Sequence, residues 1–177
     1  NQLLFSVTLT ARAGSEMAEN QEQKETFQEI QQLTQEALHE MRALIWQLRP
    51  KGLENGLLNA IKVYSEMLGI QLEMDVTGVI QFPSRVEEGL FRITQEALNN
   101  VRKHAGVNEA QLLIQVSPKE VALTVRDAGR GFMVANKSAL PSIGLDSIRD
   151  RVRGLGGEAV WKSEIGKGTE LFIRLPY

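Results

Sequence analysis

The chain has 177 residues, 42% of them hydrophobic and 24% charged, with a net charge of −2: enough for one medium globular domain and a small accessory element. It contains no cysteine, which excludes disulfide scaffolds, thiol nucleophiles and cysteine-based zinc sites, and its two histidines are too few for a His-rich metal centre. No dense basic stripe points to direct nucleic-acid binding, and no run of about eighteen apolar residues is present to span a membrane.

Residues 1–49 read as two helices. The first carries Leu4, Val7, Ala11 and Ala18, and the polar residues 19–24 are expected to form the turn. In the second, Ile30, Leu33, Ala37, Leu44 and Leu48 are spaced by three, four, seven and four, a heptad-like stripe. Two narrow stripes bury little by themselves, so a dimeric four-helix bundle is expected, with a hairpin packed on its own domain as the alternative. Arg49-Pro50-Lys51-Gly52 blocks continuation of the helix and marks a boundary between residues 1–50 and 51–177. Beyond it the pattern predicts a helix over 56–68, a strand over 71–76 and a long helix over 83–104 with Ser84 as N-cap. Strands over 110–116 and 120–126 flank a Pro118-Lys119 turn. A helix over 143–155, with Leu145, Ile148, Val152 and Leu155 inward, is closed by Gly156-Gly157. A last hairpin pairs 158–163 with 169–175. Helices alternating with antiparallel-like strands predict an α+β fold, a two-layer α/β sandwich preceded by a helical hairpin.

Two segments carry the chemistry: Asp127-Ala-Gly-Arg-Gly-Phe132 and Gly166-Lys-Gly-Thr169, each where a strand gives way to a turn. Glycine lets a backbone approach a flat ring or a phosphate, and an aspartate accepts a hydrogen bond from an exocyclic amine such as that of adenine. Alone, such a run is equally consistent with an ordinary loop. On the 83–104 helix, Leu90, Ile93, Ala97 and Val101 form an apolar face, and Glu96, Asn100 and Lys103 form an adjoining stripe, with Asn99 directed to solvent. A solvated Glu–Lys face is the alternative for that stripe. Neither G-x-x-x-x-G-K-[ST] nor G-x-G-x-x-G occurs.

Taken in order, residues 95–105 (Gln95-Glu-Ala-Leu-Asn-Asn-Val-Arg-Lys-His-Ala105), 127–132, 144–152 and 166–169 resemble a known set of motifs: Q-E-A-L-x-N-x-x-K-H-A, D-x-G-x-G-F, G-L-x-x-I-x-x-R-V and G-x-G-T. These belong to the ATP-binding domain of two-component sensor histidine kinases, nitrate-sensor and DesK-like branch, within the wider family of Hsp90, MutL and type II topoisomerases. The resemblance is strong over 55–177 and looser before it. It implies a Bergerat-type fold that binds ATP and Mg2+. By resemblance, Asn100 faces the magnesium, Lys103 and His104 the nucleotide, and Glu96 the reacting groups. Asp127 reads adenine, and Gly129 and Gly131 let the chain pass close to the nucleotide. Gly144-Leu145 offers a helix N-terminus to phosphate, and Thr169, after Gly168, supports the Asp127–adenine pair. Residues 133–142 look like a mobile lid in which Lys137 either reaches a phosphate or belongs to a plain surface loop.

In this branch the first helix carries H-D-x-x-x-Q-x-L. Here Gln2-Leu-Leu4 matches only its end, so the phosphoacceptor histidine is expected before Asn1. The chain then reads as a catalytic core that binds nucleotide without phosphorylating itself. Gln2 inherits a water-orienting role in removing phosphate from a response regulator, and His39 is read as a surface residue. The implied activity is transfer of the ATP γ-phosphoryl to a histidine on the dimerisation helices, then to a response-regulator aspartate. The resemblance also implies a homodimer through the N-terminal helices, a regulator with helix-turn-helix output, a cytoplasmic location, and membrane attachment only through regions N-terminal to this chain. Two alternatives stand beside it: a serine kinase of an anti-sigma system, which would lack the heptad-bearing helices, and a non-catalytic nucleotide-sensing dimerisation module, against which the Glu96–Asn100–Lys103 set argues.

Overall fold

A computed structural model describes residues 2–48, 53–133 and 143–177. It divides into two compact units, Asn1–Lys51 and Gly52–Tyr177.

The first unit is a helical hairpin of α1 (Gln2–Glu16) and α2 (Gln21–Leu48). The turn falls at 17–20, earlier than the polar run predicts, because Asn20 starts α2. Its Oδ1 accepts the Gln23 N–H at 2.9 Å, while Gln23 Oε1 accepts the Glu19 N–H at 3.0 Å, a reciprocal cap. The two helices meet closely at Gly14, where a Cβ would fall 2.5 Å from the Phe27 ring. Ala11 is buried, but Ile30 and Leu33 of the heptad stripe remain 38% and 57% exposed. The side chains of Leu44 and Leu48, and the 49–52 boundary segment, lie outside the described residues.

The second unit contains α3 (Leu57–Leu68), β1 (Gln71–Thr77), α4 (Ser84–Asn100), β2 (Glu109–Val116), β3 (Glu120–Asp127), α5 (Ile143–Gly154), β4 (Glu158–Glu164) and β5 (Gly168–Pro176). The five strands form one mixed sheet in the order β1-β2-β3-β5-β4. β1 and β2 run parallel, whereas the remaining pairs are antiparallel. This departs from the antiparallel expectation because α4 makes the β1–β2 connection a crossover rather than a hairpin. Alternate residues of the central strands point to the helical layer: Leu112 and Ile114, Leu123, and Ile173 and Leu175 are fully buried there, as are Leu90, Phe91, Ile93 and Leu98 of α4.

Ser84 is not an N-cap. It is the first residue of α4, and the Pro83 carbonyl accepts the N–H groups of Val86 (2.8 Å) and Glu87 (3.1 Å). Proline supplies an extended residue just ahead of the helix, so the cap falls one position earlier. Glu87 reaches across to accept the Leu57 N–H at 3.2 Å, closing the otherwise bare start of α3. At the other end α4 does not run regularly to residue 104. From Val101 to Ala105 it opens into a wide π-type turn, ending at Gly106 with φ of 73°.

Candidate active site

The end of α4, the loop after β3, the first turns of α5 and the start of β5 surround a cavity of about 280 Å3. Asn100, His104, Asp127, Gly131, Leu145 and Thr169, all singled out in the sequence, line it. Apolar side chains complete the wall: Ala97, Val101, Ala105, Val125, Phe132, Ile148, Trp161 and Leu171.

Asp127 ends β3 and pairs in register with Thr169 of β5. Its carboxylate accepts the Gly129 N–H at 2.9 Å and the Thr169 backbone N–H. Burial pushes its pKa above the ordinary carboxylate value, and the two N–H donors offset only part of that. The Thr169 hydroxyl lies 3.1 Å from Ser163 Oγ. Ser163 Oγ already donates to the Gly168 carbonyl (2.9 Å) and accepts the Phe132 N–H (2.8 Å), so the Thr169 proton points to Ser163 and the Thr169 oxygen is left as an acceptor. Ser163 escaped the sequence reading. The signal available was its place opposite Thr169 in the last hairpin.

Glu96 and Asn100 do share a face, and it meets α5. A Cβ on Gly144 would collide with Glu96 Oε1 and approach Asn100 Oδ1 to 3.2 Å. Glycine at 144 therefore lets the first turn of α5 lie against both polar groups, although neither Glu96 nor Gly144 lines the cavity. Lys103 is not brought to the cavity either: it sits exposed in the wide turn, where 100° per residue no longer applies. His104 is the basic residue of that turn on the cavity wall.

The glycines serve the protein's own backbone. A Cβ on Gly129 would collide with the Ala105 carbonyl, one on Gly131 with the Glu164 carbonyl, and one on Gly168 with the Asp127 carbonyl. Gly131 and Gly168 also have φ of 60° and 84°. Of these, only Gly131 additionally lines the cavity.

Asn99 does not point to solvent. The Tyr64 hydroxyl of α3 donates to its Oδ1 at 2.8 Å, because α3 covers that face of α4. Gln95 is buried beside them, its Oε1 accepting from Arg92 at 3.3 Å. Burial raises the Tyr64 pKa, outweighing the lowering effect of its hydrogen bonds with Asn99 and Gln95. The side chains of Gln2 and His39, and residues 134–142 with Lys137, lie outside the described residues.

A family profile described as histidine kinase matches residues 1–53, and that of histidine kinase-, DNA gyrase B-, and HSP90-like ATPases matches residues 85–177, more than half of the chain. The chain belongs to this ATPase family. Over 99% of its length it is 41% identical to the sensor histidine kinase YhcY of Bacillus subtilis (strain 168), covering 46% of that protein. It is 32% identical to the sensor histidine kinase LiaS of the same organism over 99% of the chain and 50% of LiaS. Against the signal transduction histidine-protein kinase/phosphatase DegS of Brevibacillus brevis the identity is 31%, over 85% of the chain and 40% of DegS. The chain thus spans about half the length of these relatives. The histidine kinase domain of the blue-light activated histidine kinase of Erythrobacter litoralis shares the fold: TM-score 0.58, 16% identity, 99% of this chain and 94% of that one. The histidine kinase-type ATPase fold accounts for the cavity between α4, α5 and the sheet, and family membership implies ATP binding. Among the described residues, no helix is long and apolar enough to cross a membrane.

Proposed function

We propose that this chain is the catalytic core of a sensor histidine kinase. Residues 51–177 bind Mg-ATP, and residues 1–50 belong to dimerisation and phosphotransfer helices. The γ-phosphoryl passes to a histidine of those helices, the bond to ADP breaking as a bond to the imidazole nitrogen forms, and then to a response-regulator aspartate. The observation that carries this reading is Asp127: a half-buried carboxylate in a largely apolar cavity, with Asn100 on the wall formed by α4. A carboxylate with two N–H donors keeps lone pairs for an exocyclic amine, and the apolar wall suits a flat base.

In this reading Asp127 reads the adenine amine, with Thr169 as a second acceptor beside it. Asn100 would hold Mg2+, which would supply charge neutralisation at the phosphates. Gly144-Leu145 brings the N–H groups of α5 to the phosphates, Lys103 and His104 supply positive charge, and Glu96 stands near the reacting groups. Gln2 orients water when a response regulator, one with helix-turn-helix output, is dephosphorylated. The exposed Ile30 and Leu33 support a homodimer through α1 and α2. The core acts in the cytoplasm, where ATP and the regulator meet.

Calorimetry of Mg-ATP binding tests the assignment. Asp127→Ala removes the amine's partner and should cost about 1–3 kcal/mol of binding. Asn100→Asp should weaken the Mg2+-dependent part of the affinity. Asn99→Asp should leave it intact while lowering stability, since it puts a charge beside buried Tyr64. Unchanged affinity in Asp127→Ala, or a larger loss at Asn99 than at Asn100, refutes it.

A further inference from the structure

The inner face of the sheet is ordered in rows across the cavity floor. Asp127, Thr169 and Ser163 are aligned across β3, β5 and β4, and two residues along each strand lie Val125, Leu171 and Trp161. The first row is polar and hydrogen-bonded. The second is apolar, lines the cavity throughout, and ends on the edge strand in the largest side chain of the wall. From strand spacing and rise, Asp127 and Trp161 are about 12 Å apart at Cα, a gap that a carboxylate, a purine and an indole can fill.

Trp161 is also held. The Arg149 guanidinium of α5 lies 5.2 Å from its ring centroid, and Arg149 is itself anchored by Asp146, Nη1 to Oδ1 at 2.7 Å. An exposed arginine on an edge-strand indole fixes the ring's orientation at the rim of the cavity. Leu145 and Ile148, one on either side of Asp146 in α5, line the same cavity.

We propose that Trp161, oriented by Arg149, is a base-contacting residue of the nucleotide cavity and supplies the part of the affinity that depends on the flat face of the base. The proposal rests on the reading of the cavity as an ATP site. It separates two kinds of recognition. Asp127 senses the exocyclic amine, whereas Trp161 senses the ring whatever its substituents, because every base presents a π-face.

The test uses the full chain with Trp46→Phe, leaving Trp161 as the sole tryptophan. Mg-ATP should change the Trp161 emission saturably, whereas Mg-tripolyphosphate should not. In calorimetry, Trp161→Leu should weaken ATP and purine riboside triphosphate by the same factor, about tenfold, and leave tripolyphosphate unchanged. Asp127→Ala should instead weaken ATP but not purine riboside triphosphate. Arg149→Ala should give a smaller loss of the Trp161 kind. Emission unmoved by saturating ATP, or equal ATP affinity in Trp161→Leu, overturns the proposal while the ATP site stands. A wild-type chain that binds no ATP removes the ATP reading itself. If Trp161→Leu does not fold, the emission measurement decides.

Discussion

Gly129→Ala is the most direct test of how the loop after β3 is held. The new Cβ would lie 2.6 Å from Ala105 Cβ and 2.8 Å from the Ala105 carbonyl carbon, and would collide with the carbonyl oxygen. All of these belong to backbone or a Cβ, so no rotamer change relieves the overlap. The loop has to lift, and the Arg130 N–H then loses the Ala105 carbonyl, now 2.8 Å away. Overpacking of this kind costs about 1–3 kcal/mol and the hydrogen bond about 1 kcal/mol more, roughly 2–4 kcal/mol together. At the usual sensitivity to urea, the unfolding midpoint should fall by about 1–2 M. ATP affinity should fall too, because the Gly129 N–H that bonds the Asp127 carboxylate moves with the loop. Gly154→Ala is the control: the last residue of α5 has nothing within 4 Å of its would-be Cβ and no positive φ, so alanine should stabilise by about 0.5–1 kcal/mol. A Gly129→Ala midpoint within about 0.3 M of wild type would show that the close approach to Ala105 is not holding the loop.

Asp127→Asn should change the pH dependence of stability in a defined direction. The folded Asp127 pKa lies above its ordinary value, so the native state binds this proton more tightly and its ionisation costs stability as pH rises through that interval. Relative to wild type, the variant should therefore gain stability from acid to neutral pH. Urea midpoints at the two ends check it, and a relative loss reverses the assigned sign. Ile30→Asp with Leu33→Asp should abolish self-association, since these stripe residues are left 38% and 57% exposed on the hairpin. Sedimentation equilibrium reads this directly, and an unchanged oligomer mass would place the dimer contact elsewhere.

Where one local rule governed, the sequence was a reliable guide. Strand alternation located β2, β3 and β5, and Gly156 with φ of 77° closed α5 as its position indicates, the Gly157 N–H returning to Val152 O at 2.9 Å. The four motifs located Asp127, Asn100 and Thr169 on one cavity because each lies at or next to the end of a regular element. The errors came from tertiary effects. Helical-wheel arithmetic does not extend to Lys103, because α4 widens at Val101, a change of pitch that no residue in the motif announces. It failed at Asn99 because the wheel shows which face a residue occupies but not that α3 covers it. Ser163 and Trp161 went unnoticed because their roles depend on strand pairing, which opposes them to Thr169 and Leu171.

The widening at Val101 links the two ends of the site. A regular helix ending there would leave its last carbonyls to water or to a cap. Here the turn ends with the Ala105 carbonyl accepting the Arg130 N–H at 2.8 Å, and the Arg130 carbonyl in turn accepts the Gly166 N–H at 2.7 Å. One residue of the loop after β3 thus joins the end of α4 to the β4–β5 turn through main-chain bonds alone. Positions 129, 131 and 168 have room only for glycine. Asn100 sits one residue before the wide turn and Asp127 three before Arg130, so this short covalent and hydrogen-bonded path runs between them. The glycine-rich pattern is therefore first a joint between α4 and the sheet.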